Sequence, residues 1–129
     1  MPRILLIDDD EALREVLAMS LTSDGHEVVS ASDGREGVEL LQQGQFDLVI
    51  TDLIMPGQEG IETITILRQD YPTLPVIAIS GGLPNSELYL QIAQKIGAKR
   101  ILAKPFALSD MRSAIIEVLG PRDPGPSGT

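Results

Sequence analysis

The sequence contains no cysteine and no tryptophan. Without cysteine there are no disulfides and no thiolate metal sites, and a reducing cytoplasm is the expected compartment. Two Phe and two Tyr are the whole aromatic complement, too few for the stacking platforms that bind unpaired bases. Basic residues are scarce: 10 Lys and Arg stand against 19 Asp and Glu, a net charge of −9. Such a surface repels phosphate backbones, so no direct nucleic-acid contact is expected. No apolar run approaches the roughly 20 residues of a membrane-spanning helix. No charged-then-apolar leader opens the sequence, so neither a membrane partner nor secretion is expected. Short-period repeats and low-complexity core segments are also missing.

What is present suits one domain. The 129 residues are 43% hydrophobic, enough for a real core and too much for a disordered chain. Residues 1–119 are expected to form that domain. Gly120–Thr129, rich in Gly and Pro, reads as a flexible tail or the start of a linker.

Strand-like and helix-like segments alternate along the chain. Arg3–Ile7 reads as a strand and Glu11–Ser23 as a helix with Leu13, Val16, Leu17 and Leu21 on one face. Asp24-Gly25 ends that helix through a left-handed glycine. Glu27–Ala31 is a short, more polar strand, hence nearer an edge. Asp33 and Glu36 form a capping-box pattern opening a helix to about Gln43. Phe46–Thr51 is the third strand, followed by a Met55-Pro56-Gly57 turn and a helix from about Gly60 to Asp70, stopped by Tyr71-Pro72. Leu74–Ile79 and Arg100–Ala103 are the remaining strands. A helix from Pro84 to Ile96 and one over Leu108–Leu119, striped by Leu108, Met111, Ile115 and Leu119, complete five βα units. Such alternation implies an α/β fold: a doubly wound, five-stranded parallel sheet covered on both faces.

Four of the apolar runs end in residues suited to phosphoryl chemistry: Asp8-Asp9, Thr51-Asp52, Ser80 and Lys104-Pro105. In an open parallel sheet, ligands sit beyond the carboxyl ends of the strands. One sheet edge therefore gathers three carboxylates, a hydroxyl and an ammonium. Taken singly, Asp52 reads as a helix cap, Ser80 as a turn residue and Lys104 as a solvated charge. Together they make a site. Asp52, after the most apolar central run, is the candidate nucleophile toward phosphorus. Asp8 and Asp9 near a third carboxylate suit Mg²⁺, which prefers oxygen ligands. Asp10 reads as the cap of the first helix. Lys104 can pair with Asp52 and then with a phosphoryl oxygen, to which Ser80 can donate a hydrogen bond. His26 reads as a surface residue, and Met19, Met55 and Met111 as turn or packing residues.

These segments resemble the response-regulator receiver domain over about residues 3–119, through Ile4-Leu-Leu-Ile-Asp-Asp-Asp, the stretch from Asp47 to Gly60, Val76-Ile-Ala-Ile-Ser-Gly-Gly and Lys104-Pro-Phe106. The resemblance implies the flavodoxin-like strand order 2-1-3-4-5 and a phosphorylation-activated regulator of a two-component phosphorelay. It implies Asp52 as phospho-acceptor, with Lys104 and Ser80 contacting the phosphoryl group. Mg²⁺ (Mn²⁺ able to substitute) would be held by Asp9 and Asp52, by Asp8 through water and by the backbone carbonyl of Ile54. It also implies a cis Lys104-Pro105 bond. The partners implied are a sensor histidine kinase or histidine phosphotransfer protein, touching the exposed end of the first helix and the Pro105-Phe106 loop, and a downstream protein. The chain would act as a monomer or as a phosphorylation-dependent dimer, would not turn over an outside substrate, and would serve as a switch, a relay intermediate or the receiver part of a larger regulator.

Two positions depart from the family pattern. Ile101 stands where the family's switch aromatic commonly lies and cannot make a ring rotation, so signalling is expected through shifts around Leu83–Ile96. Ile54 and Gly82, at the positions that tune dephosphorylation, carry no polar side chain to orient a water, so a long-lived phosphoryl group is expected. An aspartate-nucleophile phosphatase would need a second Asp where Ile54 stands. A flavin module would need a hydroxyl-rich phosphate loop where Asp8-Asp9-Asp10-Glu11 would repel phosphate. The intact set of acids and Lys104 also disfavours an inactive scaffold.

Overall fold

Apolar runs of five residues are long enough for a strand and too short for a helix, and they become the sheet. The computed structural model describes residues 2–53, 59–80, 91, 94–95 and 97–120. In chain order the elements are β1 (Arg3–Ile7), α1 (Glu11–Ser23), β2 (Glu27–Ala31), α2 (Gly34–Gln43), β3 (Leu48–Asp52), α3 (Glu59–Asp70), β4 (Val76–Ser80), β5 (Arg100–Ala103) and α4 (Leu108–Leu119). All strand pairings are parallel, and the order across the sheet is β2-β1-β3-β4-β5. The expected doubly wound sheet is thus present, with polar β2 at an edge as its composition requires. Of the expected helix Pro84–Ile96, only Gln91, Gln94 and Lys95 are among the described residues, and all three are helical. No helix among the described residues is long and apolar enough to cross a membrane.

Side chains alternate across each strand, and this splits the core in two. Ile4, Leu6, Leu48, Ile50, Ile77, Ile79 and Leu102 pack against Leu17 and Leu21 of α1 and Met111, Ala114 and Ile115 of α4. On the other face, Leu5, Ile7, Val49, Val76 and Ala78 pack against Leu41 of α2 and Ile64 and Leu67 of α3. Gly37 shows how closely α2 approaches: a Cβ there would lie 2.4 Å from Cδ1 and 2.9 Å from Cγ1 of the buried Ile7. Gly37→Ala gains about 1 kcal/mol of helix propensity but overpacks the seam at about 1 to 3 kcal/mol. A net loss of about 1 kcal/mol in urea unfolding is expected. Equal stability would show that Ile7 repacks freely.

Local signals act largely as read. Asp10 caps α1 by accepting from Leu13 N at 3.1 Å, and Gly25 takes φ +95° after the helix. Asp33 caps α2 by accepting from Glu36 N at 2.8 Å, but Glu36 reaches back to Ser32 N rather than to the cap residue. Other expectations need correction. β3 and β4 each start two residues later and end one residue later than hydropathy suggests. Val16 and Met19 are 48% and 74% exposed rather than packed, and Leu108 is exposed at the start of its stripe. His26 is only 6% exposed. It follows the tight Asp24-Gly25 turn into a small recess of about 190 Å³, lined also by Leu21 of α1 and Arg112, Ile115 and Ile116 of α4.

Candidate functional site

Because every strand of the sheet runs the same way, the residues that end or follow the strands meet at one edge. Asp8 leaves β1 in the middle of the sheet and is fully buried. Three hydrogen bonds fix it. Its amide donates to Ala31 O at 3.2 Å, its Oδ1 accepts from Asp10 N at 2.9 Å, and its carbonyl accepts from Arg14 Nη1 at 2.6 Å. Asp52 ends β3 next door, buried and paired in register with Ile79 of β4. Asp9 points to the exposed side. One carboxylate oxygen from each of Asp8, Asp9 and Asp52 lies within 4.8 Å of the others.

Lys104 supplies the opposing charge. Its amide donates to Ser80 O at 2.8 Å, continuing the β4–β5 ladder past the strand end. Its Nζ donates to Asp52 Oδ2 at 2.9 Å and lies 3.3 Å from Asp8 Oδ2. The ammonium, 24% exposed, thus bridges two buried acids. The Lys104-Pro105 peptide is cis.

Burial in the sheet edge pushes the Asp8 carboxyl from 3.8 up to about 6. The Asp10 N–H opposes that rise, the Asp52 charge adds to it, and Lys104 opposes it. For Lys104, burial pulls the pKa down but is outweighed by the hydrogen bond and charge of Asp52 and then by Asp8, so the ammonium is held above its ordinary value.

The structure therefore brings together Asp8, Asp9, Asp52 and Lys104. Ser80 lies at the end of β4, fully buried, and its Oγ has no hydrogen-bond partner among the described residues. It shares the strand parity of Val76 and Ala78, so it approaches the edge from the other sheet face. Ile54, Met55, Gly82 and the segment Leu83–Leu90 lie outside the described residues. Ile101 is half-buried against the α2–α3 face with Leu74 and Ala98. The residue that sequence alone missed is Arg14. A lone cation one turn into a helix that opens Asp8-Asp9-Asp10-Glu11 was the signal available.

The donor set fits a hard divalent cation. All ligand atoms are carboxylate oxygens, and the buried Asp8 Oδ2 meets the Lys104 ammonium at 3.3 Å but accepts no hydrogen bond among the described residues. A pair of buried acids left facing each other is costly, and a cation relieves that cost.

A family model described as the response regulator receiver domain matches residues 4–116. The chain is 35% identical over 105 residues to the transcriptional regulatory protein AfsQ1 of Streptomyces coelicolor, covering 81% of this chain and 45% of that protein. It is 38% identical over 109 residues to the response regulator MprA of Mycolicibacterium vanbaalenii, covering 84% and 46%. Among solved structures, the response regulator TrrA of Thermotoga maritima in complex with Mg²⁺-BeF superposes with a TM-score of 0.77 at 28% identity, covering 92% of this chain and 99% of that one. The chain spans about half the length of the curated relatives it matches. AfsQ1 being named a transcriptional regulator, the expectation of no nucleic-acid contact finds no support in these likenesses.

Proposed function

This chain belongs to the response regulator receiver domain family of two-component systems, and on that premise we propose that it is a phosphorylation switch in which Asp52 accepts a phosphoryl group from a phosphohistidine. The observation that carries the proposal is the Lys104 ammonium bridging Asp52 and Asp8, with Asp9 beside them. An Asp52 oxygen attacks phosphorus, a P–O bond forms and the P–N bond breaks. The electron pair of that bond leaves on the imidazole nitrogen, which takes a proton from solvent. Lys104 offsets the charge of the transferring oxygens, and the Ser80 hydroxyl, without a hydrogen-bond partner among the described residues, can donate to one of them. Asp8, Asp9 and Asp52, with the Ile54 carbonyl, would hold Mg²⁺, as the Mg²⁺-BeF complex of TrrA encourages. When bound, the ion supplies charge that offsets carboxylate repulsion and polarises phosphoryl oxygens.

The phosphoryl group carries about −1.5 to −2 charge in place of the single charge of the Asp52 carboxylate, so up to about one further negative charge enters a site already rich in acids. Recruitment of Ser80 and Lys104 to the new oxygens then biases the neighbouring loops between two packings, and partner binding changes with them. A sensor histidine kinase or phosphotransfer protein is the proposed donor. Intact mass after incubation with Mg²⁺ and acetyl phosphate tests the reading. One phosphoryl adduct is expected on the wild type and none on Asp52→Asn. An equal adduct on Asp52→Asn would remove Asp52 as the acceptor. A wild type that takes up no phosphoryl group from acetyl phosphate or from phosphohistidine proteins would sink the proposal.

A further inference from the structure

We propose that Arg14 is a positioning residue for the cation site, holding the Asp8–Asp9 peptide so that the Asp9 carboxylate faces those of Asp8 and Asp52. The inference rests on the reading of these three acids as cation ligands. Asp9 is exposed, and its carboxylate makes no hydrogen bond or ion pair with a described residue. It nevertheless lies within 4.8 Å of two other carboxylates, where like charges drive it away. With no side-chain partner among the described residues to hold it, its place is set by the main chain.

Besides the bond from the Asp8 amide to Ala31 O, two contacts anchor that main chain. Asp10 N donates to Asp8 Oδ1 at 2.9 Å, and the Arg14 guanidinium donates to Asp8 O at 2.6 Å. Both are charge-assisted, the first through the carboxylate and the second through the guanidinium, and the second is the shorter. A carbonyl shares one rigid plane with the next amide, so a hydrogen bond to Asp8 O orients the nitrogen and Cα of Asp9. Arg14 reaches this carbonyl from α1, half-buried, across the helix start that Asp10 caps. The Arg14 charge works against its geometry, because a guanidinium close to a divalent cation repels it. The two effects have opposite signs, and this makes the role separable. If charge dominates, removing Arg14 tightens cation binding. If positioning dominates, removing it weakens binding.

Isothermal titration of the full chain with Mg²⁺ alone, at a temperature where circular dichroism shows every variant folded, decides between them. Arg14→Leu is expected to bind Mg²⁺ about fivefold more weakly, below the roughly 10- to 100-fold span common for groups that orient metal ligands because this one is partly solvated. Arg14→Lys, which keeps an ammonium donor for the same carbonyl, is expected to stay within about twofold of the wild type. A merely structural role would lower the melting temperature and leave the affinity of the folded protein unchanged. Unchanged or tighter binding by Arg14→Leu overturns the inference. Should that variant fail to fold, Arg14→Met, which keeps an unbranched stem and removes every donor, carries the same comparison with the same expected direction. A wild type that binds no Mg²⁺ overturns the cation reading itself, and this inference with it.

Discussion

Asp8→Asn is expected to raise the stability of the metal-free protein by about 2 kcal/mol at pH 8 and to change it little at pH 4. Burial lifts the Asp8 carboxyl from 3.8 to about 6, with Asp10 N–H opposing, Asp52 adding and Lys104 opposing. The folded chain therefore holds this proton more tightly than the unfolded chain. Stability from the group is fullest below the ordinary pKa, falls as pH rises between about 4 and 6, and stays low above that window. A displacement of this size corresponds to about 3 kcal/mol, at about 1.4 kcal/mol per pKa unit. Asn keeps the acceptor for Asp10 N but turns an amide toward the Lys104 ammonium, which reduces the gain. Urea unfolding followed by circular dichroism at pH 4, 6 and 8, with a chelator present, measures the difference between variant and wild type. A variant no more stable than wild type at pH 8 would mean that the Lys104 pair fully offsets the burial. The stabilising substitution should also weaken Mg²⁺ binding, so the site trades stability for function.

Lys104→Met is expected to cost about 2 kcal/mol at pH 8. Removing one member of a buried pair typically costs about 3 to 5 kcal/mol. Here the ammonium is 24% exposed, and Asp8 can take up a proton, so the lower figure applies. Met preserves the stem, which leaves the loss of charge as the main change. At pH 5, below the Asp8 pKa of about 6, one acid is neutral and the deficit should shrink by about half. Millimolar Mg²⁺ should restore more stability to this variant than to the wild type, because the ion takes over the lost positive charge. A deficit independent of both pH and Mg²⁺ would instead assign Lys104 to packing through its stem.

The elements were legible wherever side chains report the backbone. Arg3–Ile7, Glu11–Ser23, Glu27–Ala31, Arg100–Ala103 and Leu108–Leu119 begin and end where patterning and capping place them. The limits of β3 and β4 were not legible, because a ladder is made of backbone groups. Leu53 N donates to Ile79 O and Lys104 N to Ser80 O, which carries pairing past the apolar run onto Asp52 and Ser80. Phe46 and Leu74, apolar and half-buried, belong to the α2–α3 core face without belonging to a strand. The burial of His26 is not legible locally because it depends on α4, far along the chain. In the site, residue type and strand position sufficed for Asp8, Asp9, Asp52 and Lys104. The hydrogen bond from Arg14 depends on a loop conformation that spacing does not encode.

The layout of the sheet also sets an order of events during synthesis. β1, which Asp8 follows, and β3, which Asp52 ends, are inner strands, while β5, which precedes Lys104, is an edge strand. A chain emerging from the ribosome, N-terminus first, therefore presents both acids long before their cation: Lys104 is translated 52 residues after Asp52. β1 pairs first with β2 across α1 and then with β3 across α2, so each of these pairings closes a longer loop than a hairpin would. The nascent chain must thus keep its carboxylates hydrated or protonated until β5 docks. The sheet edge closes last, and its charge balance with it.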